Sequence, residues 1–357
     1  MDYIESITEA IGKTPLLKLS KLLPAGSADV FVKLENLNPS GSYKDRMALA
    51  MVEGAERGDT WNGRKLPAGG MVVEASAGNT APALAMVCAA KGYKAHFMLY
   101  RYMFEKGDDA RMLITKAYGP EVEPTSDPLK YLTAEQIELL KEDEPDLIHV
   151  MTGKMDCSLL EAADPASVWV DQIYNKYNYL GQKAIAYEVY EQLDGKVDAI
   201  GCSVGAGGSL YGLCLGLKDK GLRPGVIFGV VPSGSEVYLD LKKDECTRAE
   251  FAYSDRNSKI STAMGLEKWL QEKSIIQQMV EAGYPDMFFR VTAQEARDMA
   301  NRLCQELGIY CGMSSGANVV IALRMAQRLG QGKNVVTTIV DRRDRHMFEI
   351  PKEKYAV

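Results

Sequence analysis

Short apolar runs alternate with helical patterns through most of the chain. Val30–Leu34, Met71–Ala75, His96–Leu99, Val197–Cys202, Gly225–Val231 and Asn334–Val340 are rich in Val, Ile, Phe and Met and read as strands. Asp45–Arg57, Thr80–Lys91, Asp109–Tyr118, the stretch from Ser209, Gln294–Leu307 and Ala317–Arg328 place apolar residues at helical spacing. Strands alternating with helices of this length predict parallel βαβ units. Near-continuous Val/Ile runs predict sheets covered on both faces. The expected class is α/β, with mainly parallel sheets flanked by helices, in a chain of 357 residues that is long enough for two domains. Glu121 to Pro165 breaks the pattern: it is acidic and polar, with a short helix expected over Glu135–Lys141, and reads as a surface insertion near a domain crossing. Trp169–Gln172 resumes a buried pattern.

Four strand-to-helix junctions carry unusual residues. Asn38-Pro39-Ser40-Gly41-Ser42-Tyr43-Lys44-Asp45-Arg46 places a lysine where a turn hands over to a helix. A helix start disfavours a cation, which suits an amine that has to become neutral to react; the plainer alternative is an exposed surface lysine. Gly205-Ala206-Gly207-Gly208-Ser209 ends an apolar strand and opens a helix. Glycines let backbone approach an anion, and the helix start supplies free N–H donors; a tight structural turn is the alternative. A dinucleotide fingerprint would need glycine where Leu210 stands, and no G-K-[ST] follows for a P-loop. Ser76-Ala77-Gly78-Asn79-Thr80 and Ser314-Ser315-Gly316-Ala317 offer an amide and hydroxyls at helix starts, where they could equally serve as caps. One amine, one anion cradle, one Asn loop and one hydroxyl near a helix start together suit pyridoxal 5'-phosphate.

Bulk properties narrow the remaining classes. The net charge of -6 speaks against broad nucleic-acid or anionic-membrane binding. Seven cysteines without a C-x-x-C pair, beside three histidines, give no metal pattern and point to a reducing compartment. The acidic residues of Met1–Ala10 leave no signal-peptide pattern, and no apolar run is long enough to span a bilayer. The expected location is cytoplasmic.

Taken in order, these segments resemble the cysteine synthase / cystathionine β-synthase family of fold-type II pyridoxal-phosphate enzymes. The resemblance starts at Ile11-Gly12-Lys13-Thr14-Pro15-Leu16 and passes through Lys33-Leu34-Glu35, Asn38–Arg46 and Gly78-Asn79-Thr80. It resumes at Gln172, Gly205–Ser209 and Gly312-Met313-Ser314-Ser315-Gly316-Ala317. It implies a homodimer with a smaller, mobile substrate-side domain over 35–150 and a larger domain from 13–34 and 151–357. It implies that Lys44 holds the cofactor as an internal aldimine and moves the substrate's α-proton. Asn79 would touch the ring hydroxyl, Gly205, Ala206, Gly207, Gly208 and Ser209 would cradle the phosphate, and Ser314 would face the pyridine nitrogen. Ser76, Ala77, Gly78, Thr80 and Gln172 would receive the substrate carboxylate. The implied chemistry is β-replacement, a lyase or transferase reaction of amino-acid metabolism. Serine, O-activated serine or cysteine would pass through an aminoacrylate that a thiol, amine or other nucleophile attacks. The alternative is β-elimination, by a dehydratase, desulfhydrase or ammonia-lyase that releases an oxo acid.

The chain departs from the family pattern in four places. Ala77 replaces a serine donor, Ser261-Thr262-Ala263-Met264-Gly265 replaces a glycine-rich loop, and the segment 121–165 is longer. Arg342-Arg343-Asp344-Arg345 replaces a small Ser-Gly pair after the last strand. One of these arginines would select an anionic substrate group, or all would form a solvated cluster with Asp344.

Overall fold

The computed structural model describes residues 3–105, 109–143, 145–233, 239–253 and 273–349. The chain folds as two units. The first takes residues 3–47, 178–253 and 275–343; the second takes 48–177, joined among the described residues by 273–274 and 344–349.

The first unit is built on a seven-stranded sheet. Its strands are β1 (Leu16–Lys18), β2 (Asp29–Leu34), β7 (Ala199–Ser203), β8 (Val226–Pro232), β10 (Glu245–Thr247), β12 (Met287–Val291) and β13 (Asn334–Ile339). The order is β1-β2-β13-β7-β8-β12-β10. The five central strands pair in parallel, and only the edge strands β1 and β10 are antiparallel. Successive residues feed opposite faces, as strand geometry requires. Val335 and Phe228 join one core while Val336 and Ile227 join the other. The continuous apolar runs in the sequence therefore mark a sheet buried on both sides. A short antiparallel pair, β9 (Leu239–Leu241) with β11 (Phe251–Tyr253), belongs to the same unit.

Four helices serve this sheet: most of α7 (Lys176–Gln192), α8 (Gly208–Asp219), α10 (Ala293–Leu307) and α11 (Met313–Leu329). The start of α10 is fixed by Thr292, whose hydroxyl accepts from Glu295 N–H while Glu295 reaches back to Thr292. A further helix, α9 (Ile275–Glu281), buries Ile275, Ile276, Met279 and Val280.

The second unit carries a wholly parallel four-stranded sheet, β5-β4-β3-β6, from β3 (Met71–Ser76), β4 (Lys94–Leu99), β5 (Glu121–Pro124) and β6 (Ser167–Trp169). α2 (Thr80–Lys91) follows β3 and ends at Gly92, whose φ of 76° closes the helix in a left-handed turn. The segment 121–165 differs from expectation. It holds strand β5 and two helices, α5 (Ala134–Asp143) and the 19-residue α6 (Pro145–Ala163), instead of a loop with one short helix. The reason lies in what α6 buries. Thr152, Lys154, Asp156, Cys157 and Glu161 are buried, while Leu159 is exposed. Each buried polar group has a partner: Asp156 accepts from Ser126 and Tyr131, Glu161 from Asn62 and the Trp169 N–H. Burial carried by polar residues hides the apolar stripe that marks a helix in sequence. Because α6 packs on β3, residues 151–177 belong with this sheet. The unit boundaries accordingly fall at 47/48 and 177/178, not near 35 and 150.

Candidate active site

The residues expected to act divide between the units. Lys44, Gly205–Ser209 and Ser314 lie in the first; Ser76, Ala77, Gly78, Asn79, Thr80 and Gln172 lie in the second.

Lys44 is the first residue of α1 (Lys44–Arg57). Its backbone N–H donates to Ser42 Oγ at 3.3 Å, and Nζ stands 4.9 Å from the centre of the Tyr43 ring. The turn before it is tied to the end of β13: Tyr43 N–H donates to Val340 O at 3.0 Å and Arg342 N–H to Gly41 O at 3.1 Å. Asp45 accepts from Ser40 N–H at 2.6 Å and from the Ser40 hydroxyl.

Behind the turn lies a buried ion network. Arg46 grips both oxygens of Glu35 at 2.8 Å and both oxygens of Glu188 at 2.7 and 2.9 Å. Thr14 and Asn38 also donate to Glu35, at 2.6 and 2.8 Å. Lys33, fully buried, sits 2.7 Å from Glu188 and donates to Gln192 and the Thr14 carbonyl. Burial alone would raise the Glu188 carboxyl; the hydrogen bonds and charges of Arg46 and Lys33 outweigh it and hold it down at about 2. Burial pulls the Lys33 amine down, with Glu188 opposing. Two cations thus face two carboxylates. This gives Lys33, Glu35, Asn38 and Arg46 a concrete role, as the frame that fixes where Lys44 begins its helix.

The glycine-rich segment Gly205–Ser209, expected to cradle the phosphate, follows β7. Gly207 has φ +90°, a conformation that side chains rarely adopt, and a Cβ there would stand 3.0 Å from the Ile276 backbone. At Gly205 a Cβ would meet nothing within 4 Å, so the backbone there is open to approach. No side chain caps α8. Its first N–H groups are therefore donors for an anion. Burial pushes the Cys202 thiol, on β7, up to about 12, and the Lys44 ammonium opposes that rise.

Ser314 lies exposed in the first turn of α11, which starts at Met313, four residues before the expected start. Neither serine caps this helix: the N-cap is Gly312, and buried Ser315 accepts from Val340 N–H at 2.9 Å.

In the second unit, Ser76 Oγ accepts from Gly78 N–H at 3.1 Å and folds the loop back on itself. Thr80 donates to Gln172 Oε1 at 2.6 Å, and Gln172 Nε2 to Ala75 O at 3.2 Å. Asn79 holds the N-cap position of α2, but its side chain makes no capping bond. It serves the loop differently, accepting at Oδ1 from Arg345 Nη1 at 2.8 Å.

Beneath the loop lies Glu74, a residue the sequence did not single out. It accepts from the N–H groups of Ala75 and Gln172 at 2.9 and 3.0 Å, so one carboxyl pins both the residue before the 76–80 loop and Gln172. Burial raises its carboxyl above the ordinary range, and Asp171 raises it further. Lys154, 3.3 Å from Asp171, is pulled down by burial. The only sequence signal was a glutamate inside an otherwise apolar strand.

The arginines after β13 do not act as one cluster. Arg342 is exposed, Arg343 donates to Asn301 Oδ1, and Arg345 is 1% exposed. Ser261–Gly265 lie outside the described residues. Among the described residues, no group of three His, Cys, Asp or Glu side chains could hold a metal, and no helix is long and apolar enough to cross a membrane.

The family model described as "Pyridoxal-phosphate dependent enzyme" matches residues 7–341. A cysteine synthase of Staphylococcus aureus is 32% identical over 352 residues, covering 96% of each chain. Cysteine synthase 1 of Emericella nidulans is 31% identical over 340 residues, covering 95% of this chain and 82% of the relative. Among solved structures, the cysteine synthase of Entamoeba histolytica superposes with a TM-score of 0.73 at 24% identity, covering 98% of this chain and 92% of that one. The O-acetylserine-dependent cystathionine beta-synthase of Helicobacter pylori gives 0.71 at 23%, covering 98% of both. The chain belongs to the pyridoxal-phosphate dependent enzymes, in the branch that contains the cysteine synthases. Its fold is that of the fold-type II members, and its cofactor is pyridoxal phosphate.

Proposed function

We propose that the protein is a β-replacement enzyme that exchanges the β-substituent of an O-activated serine for a sulfur or other nucleophile. The observation that carries this reading is the placing of a lysine at the first position of α1 in the same unit as an uncapped, glycine-lined helix start. The similarity to cysteine synthases over nearly the whole chain supports the reaction type. Bound pyridoxal phosphate supplies an electron sink, which lets an amino acid lose its α-proton and then its β-substituent. In this reading Lys44 Nζ holds the cofactor covalently and afterwards carries the α-proton. The N–H groups of Gly205–Ser209 hold the phosphate, and Ser314 donates a neutral hydroxyl to the ring nitrogen. Asn79 donates to the ring hydroxyl. The start of α2, with Ser76, Ala77, Gly78, Thr80 and Gln172, receives the substrate carboxylate. A homodimer in the cytoplasm fits the family resemblance and the seven free cysteines.

The test is Lys44→Ala. Wild-type protein reduced with borohydride is expected to carry the cofactor on Lys44, and the variant is expected to carry none and to lose all turnover. A reducible adduct that survives in the variant would overturn the assignment. O-Acetylserine with sulfide is expected to yield cysteine; oxo acid released at the same rate without sulfide would replace this reading with β-elimination.

A further inference from the structure

Gln182 is fully buried in α7, and its Nε2 donates to the Tyr43 carbonyl at 3.0 Å. That carbonyl belongs to the peptide that enters Lys44, and the N–H of the same residue donates to Val340 O at 3.0 Å. Gln182 also lies against α8. A Cβ at Gly212 would stand 2.5 Å from the Tyr179 carbonyl and 2.6 Å from Gln182 Cβ, and one at Gly208 would overlap the Asn178 side chain. Glycine at both positions lets the two helices close up. One side chain therefore ties the turn before Lys44 to the helix whose start is the proposed phosphate cradle, all within the first unit.

Packing alone does not call for a carboxamide here. The Oε1 of Gln182 is buried without a hydrogen-bond partner among the described residues. A buried acceptor left unpaired costs stability, and an apolar side chain of the same length would avoid that cost. What the carboxamide adds is one donor aimed at the Tyr43 carbonyl. The carbonyl also decides which end faces it, since a flipped amide would set two acceptors together.

We propose that Gln182 is a positioning residue, which holds the Lys44 turn at a set separation from the start of α8. The proposal rests on the assignment of Lys44 and Gly205–Ser209 to the two ends of one cofactor, and goes beyond it by naming what fixes their spacing. A cofactor held only by its phosphate does not sense that spacing; one held at both ends does.

The experiment compares two ligands on the full chain freed of cofactor: pyridoxal 5'-phosphate, whose aldehyde can bond to the lysine, and pyridoxine 5'-phosphate, whose alcohol cannot. Dissociation constants for both are measured in wild type, Gln182→Met, Ile185→Ala, Lys44→Ala and the Gln182→Met/Lys44→Ala pair. Gln182→Met keeps the length of the side chain and removes its donor. It is expected to lower the preference for the aldehyde ligand about fivefold, the worth of one hydrogen bond, with the alcohol ligand bound as before. Ile185→Ala removes buried apolar bulk three positions along α7 and no hydrogen bond. It is expected to lower the melting temperature and leave the preference unchanged. In the Lys44→Ala background the Met substitution is expected to change neither constant. Gln182→Leu stands in if the Met variant does not fold, and the same loss of preference is expected of it. An unchanged preference in a folded Gln182 variant, a parallel loss for both ligands, or an equal loss of preference in Ile185→Ala would overturn the proposal. Lys44→Ala itself is expected to abolish the preference. If the preference survives there, the Lys44 assignment falls and the proposal with it; if it is lost there but kept in the Gln182 variants, the proposal alone falls.

Discussion

Lys44 and Asn79 rest on two different kinds of buried charge. Behind Lys44, Lys33 and Arg46 face Glu35 and Glu188, so the charges balance and each carboxylate is held by several donors. Beneath the Asn79 loop, Glu74 and Asp171 share one ammonium, that of Lys154, and burial pushes the Glu74 carboxyl up. The first network fixes ionisation: Glu188 stays charged down to about pH 2. The second leaves one carboxyl inclined to keep its proton. On the proposed function, the frame behind the attachment point at Lys44 carries charges that do not titrate near neutrality, and the loop proposed to receive the substrate carboxylate lies over one that does.

The sharpest way to break this comparison is Arg46→Met. Removing the guanidinium takes the paired charge from Glu35 and weakens the hold on Glu188, at a cost of about 3–5 kcal/mol. Urea unfolding is the measurement, and a loss below about 1 kcal/mol would mean that the network is not the frame of the Lys44 turn. The same curves carry a pH signature. Glu188 is depressed on folding, so its contribution is present above its ordinary value of 4.5 and lost as pH falls toward about 2. In the Arg46 variant most of that acid-side slope is expected to vanish.

A smaller effect probes the backbone side of the lysine-bearing unit. Gly207→Val forces a side chain into φ +90° and against Ile276. Cofactor affinity is expected to fall at least about tenfold, or about 1.4 kcal/mol, with the fold retained. Fluorescence titration reads it, and unchanged affinity in a folded variant would remove the cradle from the phosphate.

The smallest effect concerns the unbalanced network. As pH rises through the elevated Glu74 value, a negative charge forms beneath the loop, and affinity for an amino-acid carboxylate is expected to drop about threefold, a fraction of a kcal/mol. Glu74→Gln is expected to flatten that dependence. The sign for stability is the same. A carboxyl raised on folding contributes below its unfolded value and loses that contribution as pH climbs through the folded one. Titrating ligand affinity against pH in both proteins is the check; parallel curves would clear Glu74 of the role.

The sequence exposed those features whose cause is local. The parallel strands show because a sheet buried on both faces needs unbroken Val/Ile runs, and the junctions at Lys44, Gly205–Ser209 and Asn79 show because helix starts take few residue types. Helix α6 did not show, because Lys154, Asp156 and Glu161 occupy its buried face and supply no apolar period. Glu74 and Arg345 were illegible as a pair of supports for the loop, since each matters only through a partner far along the chain. Arg345 stood out as an oddity of composition; its burial and its choice of Asn79 are long-range facts.

The order of strands also has a consequence for synthesis on the ribosome. The four-stranded sheet uses residues 71–169 alone, so its pairings can form while the rest of the chain is still being made. The seven-stranded sheet places β13 between β2 and β7, so its second strand waits for residues 334–339 before it has its parallel neighbour. Until then β2 is paired on one edge only, by the short β1, and its other edge is open. The nascent chain therefore carries a finished sheet next to an open one for much of its elongation. That open edge is where a chaperone, or a neighbouring chain on the same message, would first find purchase.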